Sequence, residues 1–265
     1  MEVLDLLGYF GALVIGVVLG LIGGGGSILT VPVLVYLLSI NPITATAYSL
    51  FVVGTSSLVG ALNTMEKKLV DVRTAVVFSI PAFVAVYATR KFLVPAIPDP
   101  IFSLWGFEVT KGIGIMLFFA VVMIGASISM IRNNGKEDLA ENEITYNYPL
   151  IILEGIVVGV LTGIVGAGGG FLIIPALVLL AKLPMKKAVA TSLLIIAVKS
   201  LIGFIGDVQN LDIDWIFLLV FTSLSIVGIF FGGYLNKFFD GEKLKKGFGW
   251  FVLIMGIYII WKELF

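Results

Sequence analysis

The sequence predicts an all-α polytopic membrane protein made of two inverted repeats, each a Gly-broken helical hairpin followed by three transmembrane helices. Three observations predict this. The 265 residues are 59% apolar and only 13% charged, whereas soluble domains run at about 45–50% and 25%; the mean hydropathy of +1.12 leaves no room for a separate soluble domain. Apolar stretches near the ~20 residues that a helical span requires recur along the whole chain. The second half repeats the first, with the charge of its loops reversed.

Residues 3–22 are apolar and are broken by Gly23-Gly24-Gly25-Gly26; a shorter apolar piece, 27–38, ends at Asn41-Pro42. Spans are expected at 43–63, 74–94 and 112–131. A polar stretch from Arg132 to Pro149 carries Lys136, Glu137, Asp138, Glu141 and Glu143. The pattern then restarts at 150–165, breaks at Gly166-Ala167-Gly168-Gly169-Gly170, continues through 171–181, and yields spans at 188–206, 215–236 and 247–264. The expected organisation is a first repeat over 1–131, a cytoplasmic linker over 132–149 and a second repeat over 150–265, together one integrated membrane domain. The chain opens with Glu2 and Asp5 and has no Lys or Arg before Lys67. A secretory signal needs a basic start, so the first apolar stretch is expected to stay.

Shifting the second half back by 143 residues makes 20 of 62 ungapped positions identical between 11–72 and 154–215. The matches include Gly20 with Gly163, Gly23 with Gly166, Gly25 with Gly168, Gly26 with Gly169, Pro32 with Pro175, Ser49 with Ser192, Ser57 with Ser200, Gly60 with Gly203 and Asp71 with Asp214. Apolar composition alone does not put Gly, Pro and Asp in register, and internal repeats of this kind are common in transporters.

Loop charge orients the halves, because Lys and Arg in short loops favour the cytoplasm. The loop at 64–73 carries Lys67, Lys68 and Arg73, while its repeat partner at 207–214 has none. The loop at 39–42 has none, while its partner at 182–187 carries Lys182, Lys186 and Lys187. Equivalent loops have opposite bias, so the halves are expected to be inverted. Three full crossings per half achieve this if each Gly-broken segment enters and leaves on one side. The cytoplasm then holds 12 of the 17 Lys/Arg, in the loops at 64–73, 132–149, 182–187 and 237–246, against four outside, around 90–111 and at Lys262. Eight plain crossings with parallel halves separate the charges poorly. Both termini are expected outside the cytoplasm.

The glycine runs are the main chemical signal. Small residues within an apolar stretch interrupt a helix and admit close backbone approach. The short helices beyond them, expected from Ser27 and from Gly170, would begin inside the membrane with free N–H groups and a positive dipole end. Such ends bind anions without a charged side chain, which makes Gly24, Gly25, Gly26, Ser27, Gly168, Gly169 and Gly170 candidate substrate ligands. The competing reading is that the glycines only ease helix packing.

Lys199 is the basic residue deepest within a predicted span, where a charge is costly. It is read either as an electrostatic ligand for an anion, or as a side chain that snorkels to the interface or pairs with Asp207 or Glu154. Among the hydroxyls on the spans after the hairpins, the repeat-matched Ser49 and Ser192 are candidate ligands. Helix-to-helix hydrogen bonding explains the others, Thr55, Ser56, Ser57, Thr191 and Ser200, equally well. Asp71 and Asp214 match across the repeat at span ends, where N-capping is expected. Trp105, Trp215, Trp250 and Trp261 fall near span ends, as interfacial belts do.

Composition also excludes. With no Cys and no His there is no thiolate nucleophile, Cys- or His-type metal site or Ser–His hydrolase, and no two carboxylates share a span. An enzyme, a cofactor and a resident metal are not expected. Net charge is zero, which argues against a nucleic-acid partner. The expected partners are a small anionic substrate and the lipid bilayer, and a homodimer is compatible with the sequence. The alternative to anion transport is a cation-coupled antiporter or a channel for another small ion, for which Glu154 is the one candidate acid.

The paired motif reads Gly20-Leu21-Ile22-Gly23-Gly24-Gly25-Gly26-Ser27-Ile28-Leu29-Thr30-Val31-Pro32 and Gly163-Ile164-Val165-Gly166-Ala167-Gly168-Gly169-Gly170-Phe171-Leu172-Ile173-Ile174-Pro175. In an all-helical chain of this length it resembles the TauE/SafE family of sulfite exporters over nearly the whole sequence. The resemblance implies a permease for sulfur-containing anions, such as sulfite or organosulfonates, that usually exports them. It carries over to the two glycine motifs and not to Lys199. Export of an anion from a negative-inside cell is favoured by about 2.3 kcal/mol per charge per 100 mV, so a facilitated exporter needs no coupling ion.

Overall fold

A computed structural model of the chain describes residues 2–66, 68–104, 107–132, 148–166, 168–179, 183–236, 238 and 241–264. Lys67, Trp105, Ala167, Lys182 and most of the 132–149 linker lie outside the described residues. The first half comprises α1 (Glu2–Ile22), a 3-10 helix (Gly24–Leu29), α2 (Thr30–Pro32) running into a π turn (Val33–Leu37), and α3 (Pro42–Glu66). It continues with α4 (Val72–Ala88), a π turn (Thr89–Leu93), α5 (Val94–Ala96) and α6 (Lys111–Arg132). Between α5 and α6, where the sequence shows only a Pro-rich loop, a small antiparallel ribbon of β1 (Phe102–Leu104) and β2 (Phe107–Val109) pairs Phe102 with Val109. The second half contains α7 (Tyr148–Val165), α8 (Gly170–Leu179), α9 (Met185–Val208), α10 (Trp215–Leu235) and α11 (Gly241–Leu264).

Among the described residues, five helices are long and apolar enough to cross a membrane: Pro42–Glu66, Val72–Ala96, Lys111–Ile128, Lys187–Val208 and Trp215–Leu235. They coincide with five of the six full spans expected; α11 occupies the position of the sixth and packs on α6. Apolar residues also cover the outward faces of these helices. On α4, Val76, Ile80 and Val84 form an exposed i, i+4 row, whereas Phe78, Ala82 and Val86 are buried. An exposed apolar row is stable in lipid and not in water.

The first hairpin folds back at its glycines. A side chain at Gly8 would meet Leu38 and one at Gly11 would meet Val33, so the Val33–Leu37 turn returns alongside the start of α1.

Helices pack mainly across the two halves. α1 lies on α10, and its repeat counterpart α7 lies on α4; α3 lies on α9, and α6 on α11. The 143-residue shift also relates the contacts in detail. Gly16 abuts the carbonyl of Ser225 and Gly159 that of Ala82; 16 and 82 become 159 and 225 under the shift. Gly16 with Gly20, and Gly159 with Gly163, are small-xxx-small pairs that let backbones approach closely, so the packing reading holds for these four glycines. α3 and α9 run antiparallel: Leu50 is beside Gly203, Gly54 beside Leu201 and Gly60 beside Leu193.

The caps are as expected. Asp71 Oδ1 accepts from Thr74 N at 2.9 Å and Asp214 Oδ1 from Phe217 N at 3.0 Å. Each cap also reaches the other half, Asp71 N donating to Thr191 Oγ1 at 2.9 Å and Asp214 N to the Tyr48 hydroxyl at 2.7 Å. Thr191 and Tyr48 are themselves repeat equivalents. The loop before α10 therefore meets the first turns of α3, and the loop before α4 meets the first turns of α9. On the face where α3 begins, Gly112 lies against Pro42, and Tyr36 donates to Glu263 Oε1 at 2.8 Å. The starts of α1 and α3 and the end of α11 thus share one face.

Candidate functional site

Among the described residues, four glycines have positive φ: Gly23 (φ 74°) in the first turn, and Gly166 (72°), Gly168 (64°) and Gly169 (66°) in the second. L-residues other than glycine enter this region at a cost. In the first turn only Gly23 does so, and Gly24–Leu29 winds directly into a 3-10 helix. The short helix therefore starts at Gly24 and not at Ser27. One positive-φ residue suffices to redirect the chain, which then resumes right-handed turns. The second turn is wider, and α8 starts at Gly170 as expected, with Leu172 N and Ile173 N both donating to Gly169 O at 3.0 Å.

The second turn is enclosed by both halves. A Cβ on Gly166 would collide with Thr46 of α3; one on Gly168 would be 2.5 Å from Val53 Cγ1 and 3.2 Å from Ser27 Cβ. Ser27 belongs to the first turn, so the two glycine segments touch here. A Cβ on Gly169 would collide with Thr162 of α7 and lie 2.6 Å from Lys199 Nζ. The sequence-predicted Ser27, Gly168, Gly169 and Lys199 are brought together, 172 positions apart at the extremes. The first turn is related to the second by the repeat: Gly23 rests on Val189, the equivalent of Thr46.

Lys199 is 1% exposed, and its Nζ donates to Thr162 Oγ1 at 2.9 Å. Neither Asp207 nor Glu154 pairs with it, and its burial midway along α9 excludes snorkelling. The ammonium thus sits against Gly169, at the start of α8, with a neutral hydroxyl as its partner. The groups around it are glycine backbone, hydroxyl and ammonium. Such a set suits an anion, because the charge and the helix N-terminus both attract one.

The hydroxyl candidates divide. Ser49 is fully buried and its Oγ has no partner, whereas Ser192 Oγ donates to Val189 O at 2.8 Å. Thr30, Ser57 and Ser200 also carry buried hydroxyls without partners; Ser57 and Ser200 are repeat equivalents. Ser56, the counterpart of Lys199, donates to Ser225 Oγ at 2.9 Å. Buried hydroxyls in folded proteins normally find partners; those of Thr30, Ser49, Ser57 and Ser200 lie on α2 and the central α3–α9 pair, and that of Thr74 lies at the start of α4.

Arg90 escapes sequence reasoning. Counting loop charges assigns it to the outside, yet it is completely buried in the π turn after α4. Its Nη1 donates to Thr46 Oγ1 at 3.0 Å and lies 3.4 Å from Asp207 Oδ2. Thr46 is the residue that abuts Gly166. The repeat carries a usable signal: Asp207 and Lys199 correspond to Thr64 and Ser56, and the same shift puts Arg90 opposite Gly233, so each buried charge is absent from the other half.

Comparison with known proteins agrees with this architecture. The model of the sulfite exporter TauE/SafE family matches residues 9–259. A probable membrane transporter protein of Xylella fastidiosa (strain 9a5c) is 30% identical over 254 residues, covering 94% of this chain and 92% of its own. The probable membrane transporter protein YunE of Bacillus subtilis is 30% identical over 263 residues, with the same coverage of 94% and 92%. No solved structure matches the chain. Apolar helices that expose apolar rows, packed around paired glycine breaks, together with a family match over nearly the full length, identify a multi-pass helical membrane transporter and not an enzyme: the chain belongs to the TauE/SafE sulfite exporter family.

Proposed function

We propose that this transporter moves a small sulfur-containing oxyanion, such as sulfite or an organosulfonate, and binds it where the second glycine turn, Ser27 and Lys199 converge. One observation carries the reading: the Lys199 ammonium is buried at the start of α8 with a neutral Thr162 hydroxyl as its partner. A buried ammonium without a counter-ion is strongly unfavourable, and a bound anion relieves it. The surrounding donors, including the N–H groups of α8, give an oxyanion several partners at once. Gly24, Gly25, Gly26 and Gly170 contribute backbone to the two turns, and Ser49 offers an uncommitted buried hydroxyl. Ser192 contributes less, its hydroxyl being held by its own helix.

The antiparallel course of the repeat-related α3 and α9 supports the inverted arrangement, with equivalent helices crossing in opposite senses. Loop charge then orients the molecule: the face where α3 begins, shared by the start of α1 and the end of α11, is extracytoplasmic. The membrane potential favours outward movement of the anion along this route.

A thermal-shift panel of the purified protein tests the reading, using sulfite, thiosulfate, sulfate, sulfoacetate, taurine, chloride, sodium and potassium. Sulfite or an organosulfonate is expected to stabilise, by about 2.7 kcal/mol at 100 times its Kd. Stabilisation by a cation, with no anion active, overturns the proposal in favour of cation transport.

A further inference from the structure

We infer that Arg90 is a second anion ligand, lying beyond the second glycine turn from Lys199, and that the Asp207 carboxylate is a tethered substitute that occupies it until the transported anion takes its place. The inference rests on the anion reading above and extends it to a second position along the path.

Among the described residues, the charged side chains buried to 95% or more are Arg90, Lys199 and Asp207. A guanidinium has five N–H donors. In Arg90 only Nη1 is engaged, while Nε and Nη2 are buried without a partner. Its approach to Asp207 is through that same Nη1, at 3.4 Å. A well-formed charge-assisted bond is about 2.7–2.9 Å and is often bidentate for Arg with a carboxylate. Asp207 therefore sits at the guanidinium without using its fork. A pyramidal or tetrahedral oxyanion offers three oxygens and can engage the idle Nε and Nη2 edge, which one loosely held carboxylate does not.

The position is as informative as the donors. Lys199 and Asp207 lie eight residues apart on α9, or about 12 Å along the helix. The second glycine turn links the two places: Gly169 abuts Lys199, and Gly166 abuts Thr46, which accepts from Arg90. Asp207 belongs to the last turn of α9, where its carbonyl accepts from Asn210 N and Leu211 N of the loop leading to α10. A carboxylate there can leave Arg90 by moving toward the end of the helix. Arg90 also sits in a π turn, a distortion found often at functional positions. An anion released from Lys199 toward this face meets Arg90 next, and Asp207 returns after it has passed.

The test measures sulfite binding calorimetrically to the full-length protein, with proteoliposome counterflow as a second readout. Asp207→Asn removes the competing carboxylate and is expected to tighten sulfite binding at least about tenfold, the size of one charge-assisted hydrogen bond. Arg90→Gln should weaken binding and slow counterflow. Arg90→Gln combined with Asp207→Asn leaves no lone buried charge, so it tests the idea even where Arg90→Gln fails to fold; the gain from Asp207→Asn should vanish in it. A gain that persists without Arg90, or an Asp207→Asn affinity within twofold of wild type, overturns the inference. If Lys199→Met weakens binding while Asp207→Asn changes nothing, this inference alone falls. If wild type binds none of the anions, the underlying anion reading falls as well.

Discussion

Replacing Lys199 by Met separates a ligand from a structural lysine, because the two roles predict opposite signs for stability. Met keeps the length and apolar body of the side chain and removes the charge. Only one hydrogen bond is lost, from Nζ to Thr162 Oγ1 at 2.9 Å. Thr162 is not orphaned, since its hydroxyl can still donate to Gly159 O at 3.3 Å. The protein also sheds a buried ammonium that no carboxylate neutralises, so without substrate the variant should melt at or above the wild-type temperature. Affinity should move the other way. A charge-assisted hydrogen bond contributes about 1.5–3 kcal/mol, so sulfite should bind about 10- to 150-fold more weakly. Calorimetry or a sulfite-dependent thermal shift reads the affinity, and a melt without ligand reads the stability. Sulfite affinity within twofold of wild type, together with a lower melting temperature, would show that Lys199 holds the fold and not the anion.

Gly168→Val should abolish counterflow and lower the melting temperature, since φ is 64° and a Cβ would lie 2.5 Å from Val53 Cγ1. Gly25→Val should be milder, because Gly25 lies within a 3-10 helix and not at a left-handed position; equal loss at both would refute the distinction drawn between the turns. Because the chain has no Cys, single cysteines label cleanly: positions 68 and 187 should react from the cytoplasm, and 41 and 210 from outside. Reaction of 68 and 210 from the same face would make the halves parallel.

Much of this architecture is written in local pattern. Span lengths, the 143-residue register and the caps at Asp71 and Asp214 rest on composition and short-range hydrogen bonding, which a sequence displays directly. The contrast between the turns does not. Gly23 and Gly166 look equivalent and are equivalent in φ, but the path of the chain beyond them depends on packing: Gly24–Leu29 tightens into a 3-10 helix, whereas Gly168 and Gly169 stay left-handed between Val53, Ser27, Thr162 and Lys199. Arg90 is hidden for a different reason. A basic residue near a span end counts as a loop charge, and its partner Asp207 is 117 positions away, at the opposite end of α9 from the loop lysines Lys186 and Lys187. Long-range pairing of this kind leaves no periodic trace. It shows only as a departure from the repeat, at the positions where the other half has Gly233 and Thr64.

The crosswise packing of the halves also sets the order in which the molecule can be built. The glycine face of α1 closes against α10, which ends at Leu235, 213 residues after Ile22. At a synthesis rate of about 5–20 residues per second, α1 waits roughly 10–40 seconds for its mate. Insertion and assembly are thus separate events for this chain, and a ribosome stalled anywhere before α10 leaves helices that are in the membrane but have nothing to close on. Bare glycine faces in lipid during that interval are what a membrane quality-control protease would encounter first, and the lifetime of such truncated chains should lengthen sharply once α10 has emerged.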